Sequence, residues 1–174
     1  MNTKKLTLSA MFFALGLILP FVTGHIPAIG RMLSPMHIPV LICGMAVGPA
    51  YGAVVGFLVP LVRSLMFGMP AMPMPAVPMA FELCIYGLVS GGMLRFLGRK
   101  NIGRVYAAMI TAMIAGRIVY GIVQAAVLGL NGSKLTMQMY LTSVFFGSIP
   151  GIILQLLIIP TIVMLLGRLQ LQEA

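Results

Sequence analysis

Acidic residues are nearly missing from this chain: Glu82 is the only one ahead of the penultimate Glu173, against eleven lysines and arginines, for a net charge of +9. Charge of either sign is scarce, at 7% of residues, where soluble domains carry about a quarter. That excludes a water-exposed globular surface. It also excludes a nucleic-acid-binding domain, because the cations are dispersed between apolar runs and no soluble basic patch exists to carry them. The two cysteines, Cys43 and Cys84, both lie in apolar runs and show no zinc spacing, so they read as small buried apolar residues rather than as a disulfide or a reactive thiol. A Gly-x-x-x-x-Gly-Lys-Ser/Thr phosphate loop is absent, so the chain does not bind ATP in that manner. Neither a nucleophile and base pair nor a metal-ligand cluster is present to suggest an enzyme. No internal repeat stands out, which weakens the case for an inverted-repeat secondary transporter.

What the chain does have is apolar length, with 60% hydrophobic residues and a mean hydropathy of +1.10. A single membrane span needs about 20 apolar residues, so the 174 residues predict one domain, 1–174, built as an all-α integral membrane protein of six transmembrane helices. The runs fall at about 6–22, 36–47, 51–67, 79–96, 105–130 and 139–166. Lys4 and Lys5 ahead of the first run imitate a signal peptide, but no small-residue cleavage site follows and the run is long enough to span, so a retained helix is expected. Proline density rules out a regular helix over 69–78. Pro150 and Pro160 predict a bend in the last span, or entry to it through a short preceding segment. Placing the N-terminus inside puts Lys4, Lys5, Arg95, Arg99, Lys100, Arg104 and Arg168 in the cytoplasm against Arg31 and Lys134 outside, so N-in, C-in follows from the positive-inside rule.

Within that frame the polar residues inside the spans are the candidate site. A carboxylate at the bilayer centre costs roughly 2.5–3.5 kcal/mol unless compensated, so Glu82 needs a partner, and Arg63 and Arg117 are the two cations well inside apolar runs. Arg117, Tyr120 and Gln124 stand three, four and seven apart and therefore share one helix face. His37 opens the second span, and all these groups converge on the external half. Two arginines against one glutamate leave a surplus positive charge that a carboxylate ligand would neutralise, with Gln124, Asn131 or Tyr120 taking its remaining polar groups. The plainer alternative is an ion pair of Glu82 with one arginine that only fixes two helices. Met69, Met72 and Met74 suit an apolar lid better than a Cu(I) site, since the loop lacks His and Cys.

Small residues recur at four-residue spacing, in Gly52 and Gly56, Gly87 and Gly91, Gly147 and Gly151, and such pairs let helix backbones approach closely in lipid. Ala10 and Ala14 repeat that spacing on the first span, away from the polar residues, where they offer a smooth face to another membrane protein.

The run Leu8-Ser9-Ala10-Met11-Phe12-Phe13-Ala14 carries an AxxxA pattern, followed in order by Leu33-Ser34-Pro35-Met36-His37-Ile38-Pro39-Val40-Leu41, Gly48-Pro49-Ala50-Tyr51-Gly52-Ala53-Val54-Val55-Gly56 and the stretch 79–87. In this ordered series the chain resembles the substrate-binding S component of energy-coupling factor (ECF) vitamin transporters, and is most similar to the pantothenate-type group. The resemblance implies a six-helix protein of the prokaryotic cell membrane that binds no cofactor itself and captures a vitamin from outside. It also implies a transmembrane T component contacted through Ala10 and Ala14, and a pair of cytoplasmic ATPases that hydrolyse ATP. An S component for another vitamin or precursor, riboflavin, pyridoxine or folate-like, and a stand-alone small transporter or channel are the alternatives.

Overall fold

A computed structural model describes residues 3–23, 34–98, 101–130 and 149–172. Among them the chain forms six α-helices: α1 Thr3–Ile18, continued by a 3-10 turn Leu19–Thr23, then α2 His37–Ala46, α3 Pro49–Phe67, α4 Ala76–Leu97, α5 Ile102–Leu130 and α6 Ile149–Gln172. Five of these reach spanning length and apolarity. The exception is α2, whose ten residues rise about 15 Å where the hydrocarbon core is about 30 Å thick.

Burial explains how a helix so short is held. Nine of the ten residues of α2 are buried, as expected of a helix that is apolar all round, and α1, α3, α4 and α6 all pack against it. Helix α4 packs against α2, α3 and α5, and α6 closes the bundle against α2 and α5. Glycine sets the closest approaches. A Cβ on Gly52 would stand 2.5 Å from Gly44 Cα and 3.0 Å from Gly87 Cα, and one on Gly91 would strike the Gly44 carbonyl. The backbones of α2, α3 and α4 therefore touch with no side chain between them, which is the use of small residues in lipid. The spaced pairs Gly52/Gly56 and Gly87/Gly91 thus pack inside the chain, with Gly44 as a third participant that the spacing did not mark. Gly147 lies outside the described residues.

Faces turned outward are apolar. Ile110, Ile114, Ile118 and Ile122 form an exposed ridge along α5, and exposed Thr7, Thr111 and Thr161 each donate their hydroxyl to the carbonyl four residues back. In hydrocarbon a side chain has no water to bond, so the helix itself must satisfy it.

One helix boundary departs from the sequence reading. The proline-rich loop ends at Pro75, not Pro78: α4 begins at Ala76 and takes Pro78 into its first turn, where a missing N–H forfeits no helical bond. Pro150 is likewise the second residue of α6, while Pro160 lies inside it; residues 139–148 lie outside the described part. Cys43 and Cys84 are free thiols, as their apolar setting predicts.

Candidate functional site

Helix α4 carries Glu82 about nine ångströms from its start by helical rise, and both the carboxylate and His37 are 2% exposed. Three side chains surround the carboxylate. Tyr86, one turn further along α4, donates its hydroxyl to Glu82 Oε1 at 3.1 Å. Arg117 Nε of α5 stands 3.4 Å from the same oxygen. His37 Nε2, at the first residue of α2, stands 3.7 Å from Oε2, beyond hydrogen-bond range, with its ring 5.2 Å from that of Tyr86 in an edge-on arrangement. An anion this deep in an apolar interior is tolerated because a cation and an O–H donor meet it directly.

The register of the group is set by packing. The Tyr86 ring lies where a Cβ on Gly116 would be, so the absence of a side chain one residue before Arg117 lets α5 come close enough for the arginine to reach across. Tyr86 was not singled out by sequence. Its spacing from Glu82, four residues along one helix, was the available signal.

Arg63 does not join this group. It is 4% exposed, donates from Nη1 to the Leu17 carbonyl of α1 at 2.5 Å, and lies 4.9 Å and 5.5 Å from the ring centres of Phe21 and Phe67. The expectation that it pairs with Glu82 is therefore corrected. A cation at a helix C-terminus meets its last, otherwise unpaired carbonyls, and two aromatic faces add cation–π attraction; Arg63 spends its charge on holding α3 to α1.

Tyr120 and Gln124 lie on α5 beyond Arg117, both partly buried. The two ring nitrogens of His37 and Oε1 of Gln124 are buried without a hydrogen-bond partner among the described residues. Asn131 falls outside the described residues. Gln155 of α6 is buried. Ala10 and Ala14 are exposed on α1, flanked by exposed Met11 and Leu15. Met69 and Met72 are exposed in the loop before α4. Among the described residues no group of three or more His, Cys, Asp or Glu side chains is placed to hold a metal ion.

The polar cluster draws on α2, α4 and α5, and the glycine contacts join α2, α3 and α4. Glu82 and His37 lie toward one end, while Gly44, Gly52, Gly87 and Gly91 lie toward the other, the basic end, where Lys4, Lys5, Arg95 and Arg104 collect. Fold and site together define a multi-pass helical membrane protein with a buried polar cluster between α2, α4 and α5. A family profile described as the substrate-specific component of ECF transporters matches residues 4–166, and the chain belongs to that family, a multi-pass protein of the prokaryotic cell membrane. No curated protein and no solved structure matches it.

Proposed function

We propose that this substrate-specific component captures a small carboxylated vitamin of the pantothenate kind in the half of the bundle that holds Glu82, and that this half faces outward. The positive-inside rule supports that orientation, N-in and C-in, by placing Lys4, Lys5, Arg95 and Arg104 in the cytoplasm. The observation that carries the site is the set of buried polar atoms without a hydrogen-bond partner among the described residues, His37 Nδ1 and Nε2 and Gln124 Oε1. Buried polar groups in folded proteins are nearly always bonded, and a solute lying along α5 between His37 and Gln124 satisfies both. Its carboxylate shares the Arg117 guanidinium with Glu82, and Tyr120 flanks the remainder. Arg63 supports the wall of the site by holding α1 and α3 together. Energy for uptake comes from partners, a T component docked on Ala10 and Ala14 and a pair of ATPases. The chain itself binds no nucleotide and no cofactor.

The test is mass spectrometry of small molecules carried through detergent purification, followed by calorimetric titration of pantothenate into wild type, Arg117→Ala and Gln124→Ala. A carboxylated solute bound by wild type and weakened about tenfold or more in both variants, the loss expected for one buried charge-assisted bond, supports the reading. A neutral copurifying solute, or unchanged affinity in Arg117→Ala, removes the carboxylate from it.

A further inference from the structure

The basic end holds a cavity of about 380 Å³, between the end of α2, the Gly48 turn and the last turns of α4, with Lys5 and Arg95 in its wall. Its size falls within the range of small-ligand sites, about 300–1,000 Å³. The concavity is built by glycines. Gly48, at φ +141°, takes a conformation that other residues rarely adopt, and Arg95 Nη2 lies 2.6 Å from where its Cβ would be. Gly98, at φ +80°, ends α4, and Arg104 Nη1 stands 3.8 Å from the place of its Cβ. Two helices thus bring a cation each into the wall of one recess, Lys5 from α1 and Arg95 from α4.

Nothing anionic among the described residues answers Lys5 and Arg95, because the only carboxylate there is Glu82, paired with Arg117 away from the recess. The backbone of α2 lines the recess with its C-terminal turn, whose partial charge of about −0.5 attracts these cations. That is well short of the two full positive charges of Lys5 and Arg95. The recess therefore keeps a net positive field at a level where the protein leaves the membrane.

We propose that this cavity binds the phosphate of an anionic phospholipid, with Lys5 and Arg95 on the phosphate oxygens and the acyl chains lying against the exposed apolar face beside α4. Arginine and lysine are the side chains that take phosphate through charge-assisted bonds, and basic recesses between membrane helices hold acidic headgroups. The site is separate from the solute site, so it stands whether or not the solute is a carboxylate.

Native mass spectrometry of the full-length protein, offered equal amounts of phosphatidylglycerol and phosphatidylcholine with identical acyl chains, tests this directly. Wild type retains phosphatidylglycerol in preference to phosphatidylcholine, and Lys5→Gln and Arg95→Gln each lower that preference about fivefold, the effect of one cation near a lipid surface. Because Arg95 also covers Gly48, its variant is checked by thermal melting, and Lys5→Gln carries the test alone if Arg95→Gln does not fold. Equal retention of the two lipids by wild type, or a preference unchanged in Lys5→Gln, overturns the proposal. Displacement of the bound lipid by excess inorganic phosphate reassigns the recess to a free anion and overturns the lipid as its occupant.

Discussion

Replacing Gly116 by alanine tests whether the packing of one ring positions the polar cluster. An added Cβ falls on the Tyr86 ring and stands 3.2 Å from the Glu82 carbonyl. Tyr86 is 1% exposed, so the ring has no open space to enter and must turn away from Glu82 Oε1, losing the 3.1 Å hydrogen bond. Overpacking of this kind costs about 1–3 kcal/mol, and a hydrogen bond to a charged group contributes about 1.5–3 kcal/mol. The better helix propensity of alanine returns about 1 kcal/mol, so the net destabilisation is roughly 1.5–5 kcal/mol by those same terms. The attribution to the ring is separable from a general intolerance of α5. In a Tyr86→Ala background the space is vacated, and Gly116→Ala becomes neutral or gains up to about 1 kcal/mol. Thermal melting of the four detergent-purified proteins therefore gives a coupling of about 2 kcal/mol or more between the two sites, as contacting residues show. Solute affinity falls with stability in Gly116→Ala, because Arg117 is displaced along with the ring. If Gly116→Ala costs the same in both backgrounds, the ring is not what meets it, and the account of how α5 reaches Glu82 is wrong.

Other predictions need less development. Gly52→Ala, whose Cβ would stand 2.5 Å from Gly44 Cα, lowers stability by about 1–3 kcal/mol, whereas Gly92→Ala, which meets nothing within 4 Å, leaves it unchanged or raised; melting midpoints compare them. Arg63→Gln loses the bond to the Leu17 carbonyl and both aromatic contacts, costing about 1.5–3 kcal/mol in a melting assay while titration shows solute affinity within a few-fold of wild type. Ala10→Leu with Ala14→Leu keeps solute binding in detergent and abolishes uptake by cells, since both residues are exposed on α1; loss of binding instead places them in the chain's own packing.

The spans were legible in the sequence because apolar length is the dominant signal in a membrane protein, and the partner of Glu82 was half legible for a related reason. With one acid and two intramembrane arginines, pairing was expected, and Arg117 makes it. Arg63 was misread because its sinks, a carbonyl at the end of α1 and the rings of Phe21 and Phe67, are brought together only by the tertiary fold. Gly44 and Gly116 were missed although each has a small residue four positions away, Gly48 and Ala112, because what they meet lies on another helix and is brought there only by the fold. The shortness of α2 was visible, since its apolar run covers only about 36–47, but its burial among four other helices was not, because that is set by the tertiary fold.

The polar cluster of α2, α4 and α5 sits next to the glycine contacts of α2, α3 and α4, and this restricts how a solute leaves. On the proposed orientation a solute beside Glu82 rests above a floor in which Gly44, Gly52 and Gly87 meet backbone to backbone. Passage through that floor requires α2, α3 and α4 to part, which exposes polar backbone to an interior with no water to bond it. Moving the bundle as one body disturbs none of these contacts, and its outward faces, such as the isoleucine ridge of α5, are apolar already. The obstacle to such a movement is the basic end. Carrying Lys4, Lys5, Arg95 or Arg104 into the hydrocarbon costs roughly 2.5–3.5 kcal/mol for each residue at full depth. Several such residues outweigh thermal energy many times over, so reorientation does not occur unaided.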